Sequence, residues 1–525
     1  MRFSGFANIL GLLPASGMLA AVLGSFAFVT ATAMVHAAPA GDDLKELIKD
    51  AAKLTRSGKL EESEDLLRRA AALDDKRSEA RVELAYVLAK QRRLGDAYAI
   101  IYPIVKDEPK NARAFAVLGA TLLAGGRFED ARLVFFNAIK LNRKEDLAWA
   151  GYGLLDFYEN KIGDSLSNLR EAVFHEPNEP DYRFALAQVS ARAELYSEAA
   201  EAYKDFLSIS NPADEDRRAR IRGLINFLRY LGQSGSLYRS TGKDQTSVPI
   251  ELVGNRPVVT LYVNGKKEPL RFVLDTGSGI SVISDQTAKR LKIKPVTKGG
   301  HARGIGGDGK FEIVYGLLRE VKIGDVKLRQ VPVYLRKFHS DSYRVDGYIG
   351  LALISKFLTT IDYGAGTFSL TRRSDDKKEF RAENSEMSLP LRLTSSGFLS
   401  GEVQVHGLDV PLNFIVDTGA SVSVISYEVA NEDVIRGFLG KQRLRVIGSA
   451  GVTENVRTFM LPKVSFGQHS EQDIMAVALD LDLINEASGF EQSGILGGNF
   501  LKKYRLTFDF AHSKVTFVPV KPEND

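Results

Sequence analysis

The chain repeats itself on two unrelated periods, one in each half. From Leu44 onward, small residues recur every 34 positions at Ala51, Ala85, Gly119, Gly153 and Ala187. At the same spacing a second small column runs through Ser63, Ala97, Ala131, Ser165 and Ala199, and an apolar one through Leu67, Ile101, Phe135, Leu169 and Tyr203. Pro109 and Pro177 fall at repeat ends, with Pro212 one position late. Such a period constrains the fold severely, because one short unit cannot bury its apolar face alone and must stack on its neighbours. Small residues let two short helices cross closely, while larger apolar residues fill the seam with the next unit. Ser57-Gly58-Lys59, Gly125-Gly126-Arg127 and Ile162-Gly163-Asp164 read as the turns between paired helices.

This pattern resembles five tetratricopeptide repeats over residues 44–213, and Arg217 to Tyr230 reads as a capping helix, so the array is expected over 42–231. The resemblance implies an all-α solenoid whose groove holds a peptide or a partner segment and carries no chemistry itself. Trp149, the only tryptophan, occupies the large apolar repeat position and is expected in the core. Residues 232–249 are rich in Gly, Ser and Lys and are expected to be a linker.

Beyond residue 250 the pattern changes to short alternating strands, as in Val258-Val259-Thr260-Leu261-Tyr262-Val263, and the text repeats once. Phe272-Val273-Leu274-Asp275-Thr276-Gly277-Ser278 returns as Ile415-Val416-Asp417-Thr418-Gly419-Ala420. Gly304-Ile305-Gly306-Gly307 is answered by Gly448-Ser449-Ala450-Gly451, and Tyr348-Ile349-Gly350 by Ile495-Leu496-Gly497. Thr360-Ile361-Asp362-Tyr363 is answered by Thr507-Phe508-Asp509-Phe510. Landmarks repeated in one order mean two homologous all-β lobes, 250–373 and 389–520, joined by the charged segment 374–388.

An apolar strand leading into Asp-Thr-Gly, followed by two apolar residues and Gly, resembles the retropepsin-like aspartic peptidases. The resemblance covers both lobes and implies a two-lobed acid-protease fold with Asp275 and Asp417 as the catalytic pair. Two carboxylates held close share one proton, because both cannot be ionised at that distance. The ionised member activates a water and the protonated one polarises the peptide carbonyl. In the family, Thr276 and Thr418 would lock the two loops together, Gly277 and Gly419 would let the backbone turn tightly, and Ser278 and Ala420 would complete the loops. Gly304, Gly306 and Gly307, with Gly448 and Gly451, fall where the family has flaps over the substrate. The lobes differ, since Asn499 follows the second apolar-apolar-Gly element where the first lobe has Ala352.

Composition narrows the remaining choices. Seventy basic and 66 acidic residues leave a formal charge of +4, which offers no footprint for nucleic acid. The absence of cysteine excludes thiol peptidases, disulfides and thiolate-bound zinc. Seven histidines stand without ligand spacing, so no metal and no cofactor is expected. Gly304-Ile305-Gly306-Gly307-Asp308-Gly309-Lys310 mimics a phosphate-binding loop, but Phe311 opens a strand where that motif needs a helix, so a hairpin tip is the better reading. At the N-terminus, Arg2 precedes an uncharged apolar run from Ile9 to Val35 and then Ala37-Ala38. Residues 1–38 therefore read as an export signal, interrupted by Pro14, Gly17 and Gly24, with an uncleaved inner-membrane anchor as the other reading. The chain as a whole is expected to be a periplasmic aspartic endopeptidase that acts on protein or peptide substrates, with a partner or substrate held on the repeats. The alternative is a catalytically inactive scaffold that only binds peptides.

Overall fold

The computed structural model describes residues 42–520 apart from 75, 308, 340–344, 374–387 and 391. The expected signal or anchor at 1–38 and nearly all of the joint at 374–388 lie outside the described residues. Among the described residues, no helix is long and apolar enough to cross a membrane. The chain divides into two compact units, residues 1–148 and 149–525, so the division falls within the repeats and not at their end.

The repeats are helical pairs whose second members begin at Leu60, Leu94, Phe128, Ile162 and Tyr196, keeping the 34-residue period. Their small column is fully buried, at 0% exposure for Ser63, Ala97, Ala131, Ser165 and Ala199. Size is enforced there: a Cβ on Gly119 would lie 2.7 Å from the Phe135 ring, and one on Gly153 would lie 2.8 Å from Leu169. Serine has a second use, since Ser63 Oγ donates to Ala51 O (2.9 Å) and Ser165 Oγ to Gly153 O (2.7 Å), tying helix to helix. Trp149 packs partly buried against Ala150, Ala172 and Tyr182.

The turns differ in part from expectation. Ile162-Gly163-Asp164 is the first turn of helix Ile162–His175, not a connection. Each connection instead holds one left-handed residue, at Gly58, Arg92, Gly126, Asn160 and Glu194, with φ of 75°, 62°, 73°, 60° and 62°. The geometry repeats every 34 residues although glycine occupies only two of the five places. The stacked helices over-determine a conformation that an L-residue adopts at some cost.

The capping helix is longer than expected, Glu215–Gln233, and residues 232–249 are not a free linker. Arg239–Gly242 pairs with the strand Val326–Arg336, and Gln245–Val253 pairs with both Arg256–Val263 and Thr367–Arg372. The Gly, Ser and Lys residues favour turns locally, but open sheet edges on either side supply hydrogen bonds that override this propensity.

Both lobes have the same strand order. The strand entering the first Asp-Thr-Gly, Leu270–Leu274, lies antiparallel to Arg256–Val263 and parallel to Gly347–Ile349. The latter pairs with Ser281–Ser284, which runs parallel to Val326–Arg336. Leu412–Val416, Leu399–Val405, Gly494–Leu496, Ser423–Ser426 and His469–Leu479 repeat the arrangement. The closing hairpins of the lobes then meet: Phe357–Asp362 pairs antiparallel with Tyr504–Asp509, with Thr360 opposite Thr507. Because Thr360 and Thr507 are equivalent in the two copies, their pairing (Oγ1 to Oγ1, 3.1 Å) places the pseudo-two-fold axis between them.

Candidate active site

The two Asp-Thr-Gly loops meet across that axis. Asp275 and Asp417 each follow a buried strand, and each backbone N–H is held by a carbonyl of the short parallel strand beside it, Ile349 O and Leu496 O, both at 3.0 Å. Thr276 and Thr418 are fully buried, and four hydrogen bonds tie each of them to the opposite loop. Thr276 Oγ1 donates to Val416 O (2.6 Å) and accepts from Thr418 N (3.0 Å), while Thr418 Oγ1 donates to Leu274 O (2.7 Å) and accepts from Thr276 N (3.2 Å). Each hydroxyl thus satisfies a donor and an acceptor on the opposite loop, leaving neither loop free to shift without orphaning buried groups.

Glycine is required at the next position by the opposite carboxylate. A Cβ on Gly277 would lie 2.4 Å from Asp417 Cγ, and one on Gly419 would lie 2.7 Å from Asp275 Oδ1. Their amides orient the acids, Gly277 N donating to Asp275 Oδ1 at 3.0 Å and Gly419 N to Asp417 Oδ1 at 2.7 Å. Ser278 and Ala420 close the loops, with Ser278 Oγ donating to Ile280 O at 2.8 Å and Gly498 N to Ala420 O at 2.7 Å. Asn499 braces the second loop from behind: its Oδ1 accepts from Ser423 N and Oγ, both at 2.9 Å, and its Nδ2 donates to Met475 O at 2.8 Å.

The two carboxyls lie side by side, since a Cβ on Gly419 would meet both Asp275 Oδ1 (2.7 Å) and Asp417 Oδ1 (3.0 Å), and the pair holds a proton more tightly than an isolated carboxyl would. Asp275 is raised well above the ordinary carboxylate range, first by burial and then by the charge of Asp417. Asp417 is also raised by burial, against hydrogen bonds from Asp275 and from the amides of Gly419, Gly277 and Ala420. One shared proton, with a net single negative charge, is what two such groups sustain. Both keep part of their surface open, so a substrate can reach them.

The glycine-rich segments are the tips of two long hairpins, Pro295–Arg303 with Lys310–Ile323 and Leu439–Ile447 with Val452–Phe466. The tips interlock. Ala450 N donates to Ile305 O (2.8 Å) and Gly307 N to Val452 O (3.2 Å). A Cβ on Gly306 would lie 2.3 Å from Gly451 O, one on Gly307 2.8 Å from Ala450 O, one on Gly304 2.0 Å from Ser449 Oγ, one on Gly448 2.2 Å from Ile305 O and one on Gly451 2.7 Å from Gly307 Cα. No cluster of three or more potential ligands suited to a metal ion occurs among the described residues.

Three cationic or aromatic residues near Asp275 escape a reading by motif. Arg256 donates from Nε to Val253 O (3.3 Å), and its charge acts on the Tyr348 hydroxyl. Arg336 donates to Ser449 O on the second hairpin tip and lies 3.7 Å over the Phe311 ring of the first hairpin. Further out, Arg192 of the repeats donates to Thr394 O (2.8 Å) and Ser395 O (3.2 Å) and lies 3.8 Å over the Phe157 ring. The loop it holds touches the first Asp-Thr-Gly loop, since a Cβ on Gly279 would lie 2.3 Å from Ser396 O.

Comparison with known proteins agrees with this architecture. An aspartyl protease family model matches residues 259–353 and again 401–500, and a tetratricopeptide repeat model matches residues 153–215. Among solved structures, a thermophilic tetratricopeptide protein of Thermus thermophilus is similar at 21% identity and a TM-score of 0.30, covering 35% of this chain and 98% of its own. Pseudomonas aeruginosa PilF is similar at 19% identity and a TM-score of 0.28, covering 37% of this chain and 88% of its own. No curated protein sequence matches the chain. The chain therefore joins an array of tetratricopeptide repeats to two tandem aspartyl-protease-like lobes.

Proposed function

We propose that the protein is an exported aspartic endopeptidase that hydrolyses peptide bonds through a water activated by Asp275 and Asp417. The observation carrying this reading is the pair of part-buried aspartates, close enough to each other that a Cβ on Gly419 would lie 2.7 Å from Asp275 Oδ1 and 3.0 Å from Asp417 Oδ1, held by the crossed threonine bonds. A water bridging the two carboxyls would lose a proton to the ionised one as its oxygen attacks the peptide carbonyl. The protonated one would donate to the carbonyl oxygen, giving a neutral tetrahedral diol. Collapse returns a proton to the leaving amine and restores the singly protonated pair. Two hairpins meeting over the pair suit an extended internal segment bound as a strand, which favours endopeptidase action. The repeats would recruit or position the protein that supplies this segment. Export to the periplasm rests on the pattern of residues 1–38.

The test is cleavage of a mixed peptide library from pH 3 to 8 by soluble protein beginning at Gly41, beside Asp275→Asn and Asp417→Asn. A bell-shaped pH profile is expected, with loss of about 10³-fold or more in each variant, since the two groups act as one unit. Activity surviving in either variant would refute the shared pair. Absence of cleavage by folded protein at every pH would leave a peptide-binding scaffold.

A further inference from the structure

The two lobes have the same backbone, so equivalent positions can be compared across the axis. Ser284 is opposite Arg336 in the first lobe, and its counterpart Ser426 is opposite Leu479 in the second. Val273 is opposite Tyr348, and its counterpart Ile415 is opposite Ile495. Arg256 stands two residues before Val258, the partner of Val273, and Phe398 two before Ser400, the partner of Ile415. Arg256, Arg336 and Tyr348 of the first lobe thus correspond to Phe398, Leu479 and Ile495 of the second.

Arg256, Arg336, Tyr348 and Phe398 keep part of their surface exposed, whereas Leu479 and Ile495 are buried, at 4% and 6% exposure. Phe398, Leu479 and Ile495 belong to one apolar cluster that reaches from Ile305 at a hairpin tip to Ala420 beside the catalytic aspartate. Arg336, at the end of its strand in the first lobe, is bound to the hairpin tip at Ser449 O and lies within electrostatic reach of Asp275. The Nε of Arg336 is buried without a hydrogen-bond partner. Arg256 lies close enough to Asp275 to favour its ionised form.

From this asymmetry we infer that the cleft selects peptides with an acidic side chain on one side of the scissile bond, held by Arg336 and Arg256, and an apolar side chain on the other, held by Phe398 with the buried Leu479 and Ile495 backing it. The inference rests on the proteolytic reading of the same cleft. An aspartate pair with one net negative charge repels an acidic substrate, so a neutral cleft would discriminate against it. Two guanidiniums in one half reverse that sign locally, and a carboxylate can take the fork of Arg336 in place of the single carbonyl of Ser449. In the other half, an acidic side chain would have to be desolvated against hydrocarbon.

The test uses the full chain and matched peptides that differ only by Glu or Gln, scanned over three residues on each side of the cleaved bond. At pH 5.5 the Glu peptide is expected to be cleaved with a kcat/KM at least about tenfold above its Gln isostere at positions on one side only, carried mainly by KM. The ratio should fall to within about twofold in Arg336→Leu, be retained in Arg336→Lys, and vanish below about pH 4 as the peptide glutamate is neutralised. Arg256→Met supplies a second reading should Arg336→Leu fail to fold. A ratio near one in the native protein, or one unchanged in folded Arg336→Leu and Arg256→Met, overturns the inference. Binding of fluorescent Glu and Gln peptides to Asp417→Asn separates the two levels. Preference for Glu there without cleavage by the native protein would sink catalysis and keep the selectivity, whereas cleavage without preference would do the reverse.

Discussion

At the scale of single residues, the aspartate pair makes a claim on stability as well as on chemistry. Asp275 has its pKa raised by burial and by Asp417, while in the unfolded chain it returns to about 3.9. The folded form therefore keeps a proton that the unfolded form releases. The contribution to stability is complete below the unfolded value and is lost as pH rises through the folded one. An asparagine side chain cannot ionise, so Asp275→Asn is expected to be more stable than the native protein at pH 7, with the difference shrinking to nothing towards pH 3.5. Urea midpoints for both proteins across pH 3.5–7.5 would check this, and a difference independent of pH would contradict it. The aspartates themselves were legible in the sequence because the motif and its flanking strand occur twice. Arg336 was not, because an arginine ending a strand carries no signal alone. Only pairing it with Leu479 through the strand register reveals it.

At the scale of elements, legibility followed how directly spacing dictates contact. Small residues 34 apart predict close helix crossings, and Gly119 and Gly153 do lie against Phe135 and Leu169. The left-handed connections were hidden by Arg92, Asn160 and Glu194, which have no local preference strong enough to announce them. The strands at 239–242 and 245–253 were hidden too, since edge pairing there depends on partners distant in sequence. Glycine patterns marked both hairpin tips but could not show that the tips bind one another. Gly306 has φ of 92° and sits against Gly451 O, so Gly306→Ala adds strain and a clash at the junction. The change is expected to part the tips and raise KM for a peptide by about tenfold, while global stability falls by no more than about 1 kcal/mol, because the tip lies outside the main core. Amide exchange at Ala450, which donates to Ile305 O, should quicken alongside. Unaltered exchange with an unaltered KM would mean that the tips do not gate the cleft.

At the scale of the whole second unit, the later repeats and the protease-like lobes form one compact body. Phe227 and Leu231 of the capping helix are buried in the same apolar cluster as the first lobe's strands, and the Phe227 ring stacks on Tyr315 of the first long hairpin at 4.4 Å. A Cβ on Gly223 would lie 2.3 Å from Gly299 Cα, so helix and hairpin cross with their backbones in contact. Arg220 donates to His301 O at 3.1 Å in the same hairpin, and Arg192 holds the loop at 394–395. A chain of residues 239–520 would uncover these surfaces, whereas one of residues 146–520 would keep them. Burial of Phe227 and Leu231 contributes about 1.5–3 kcal/mol each. With the hydrogen bonds, the shorter chain should lose on the order of 5 kcal/mol, much of the stability a domain commonly has. Denaturant titration of the two chains measures this directly. A difference below about 1 kcal/mol would mean that the repeats are merely tethered. The expected larger loss would mean that anything bending the last helix also moves the hairpin over the aspartates.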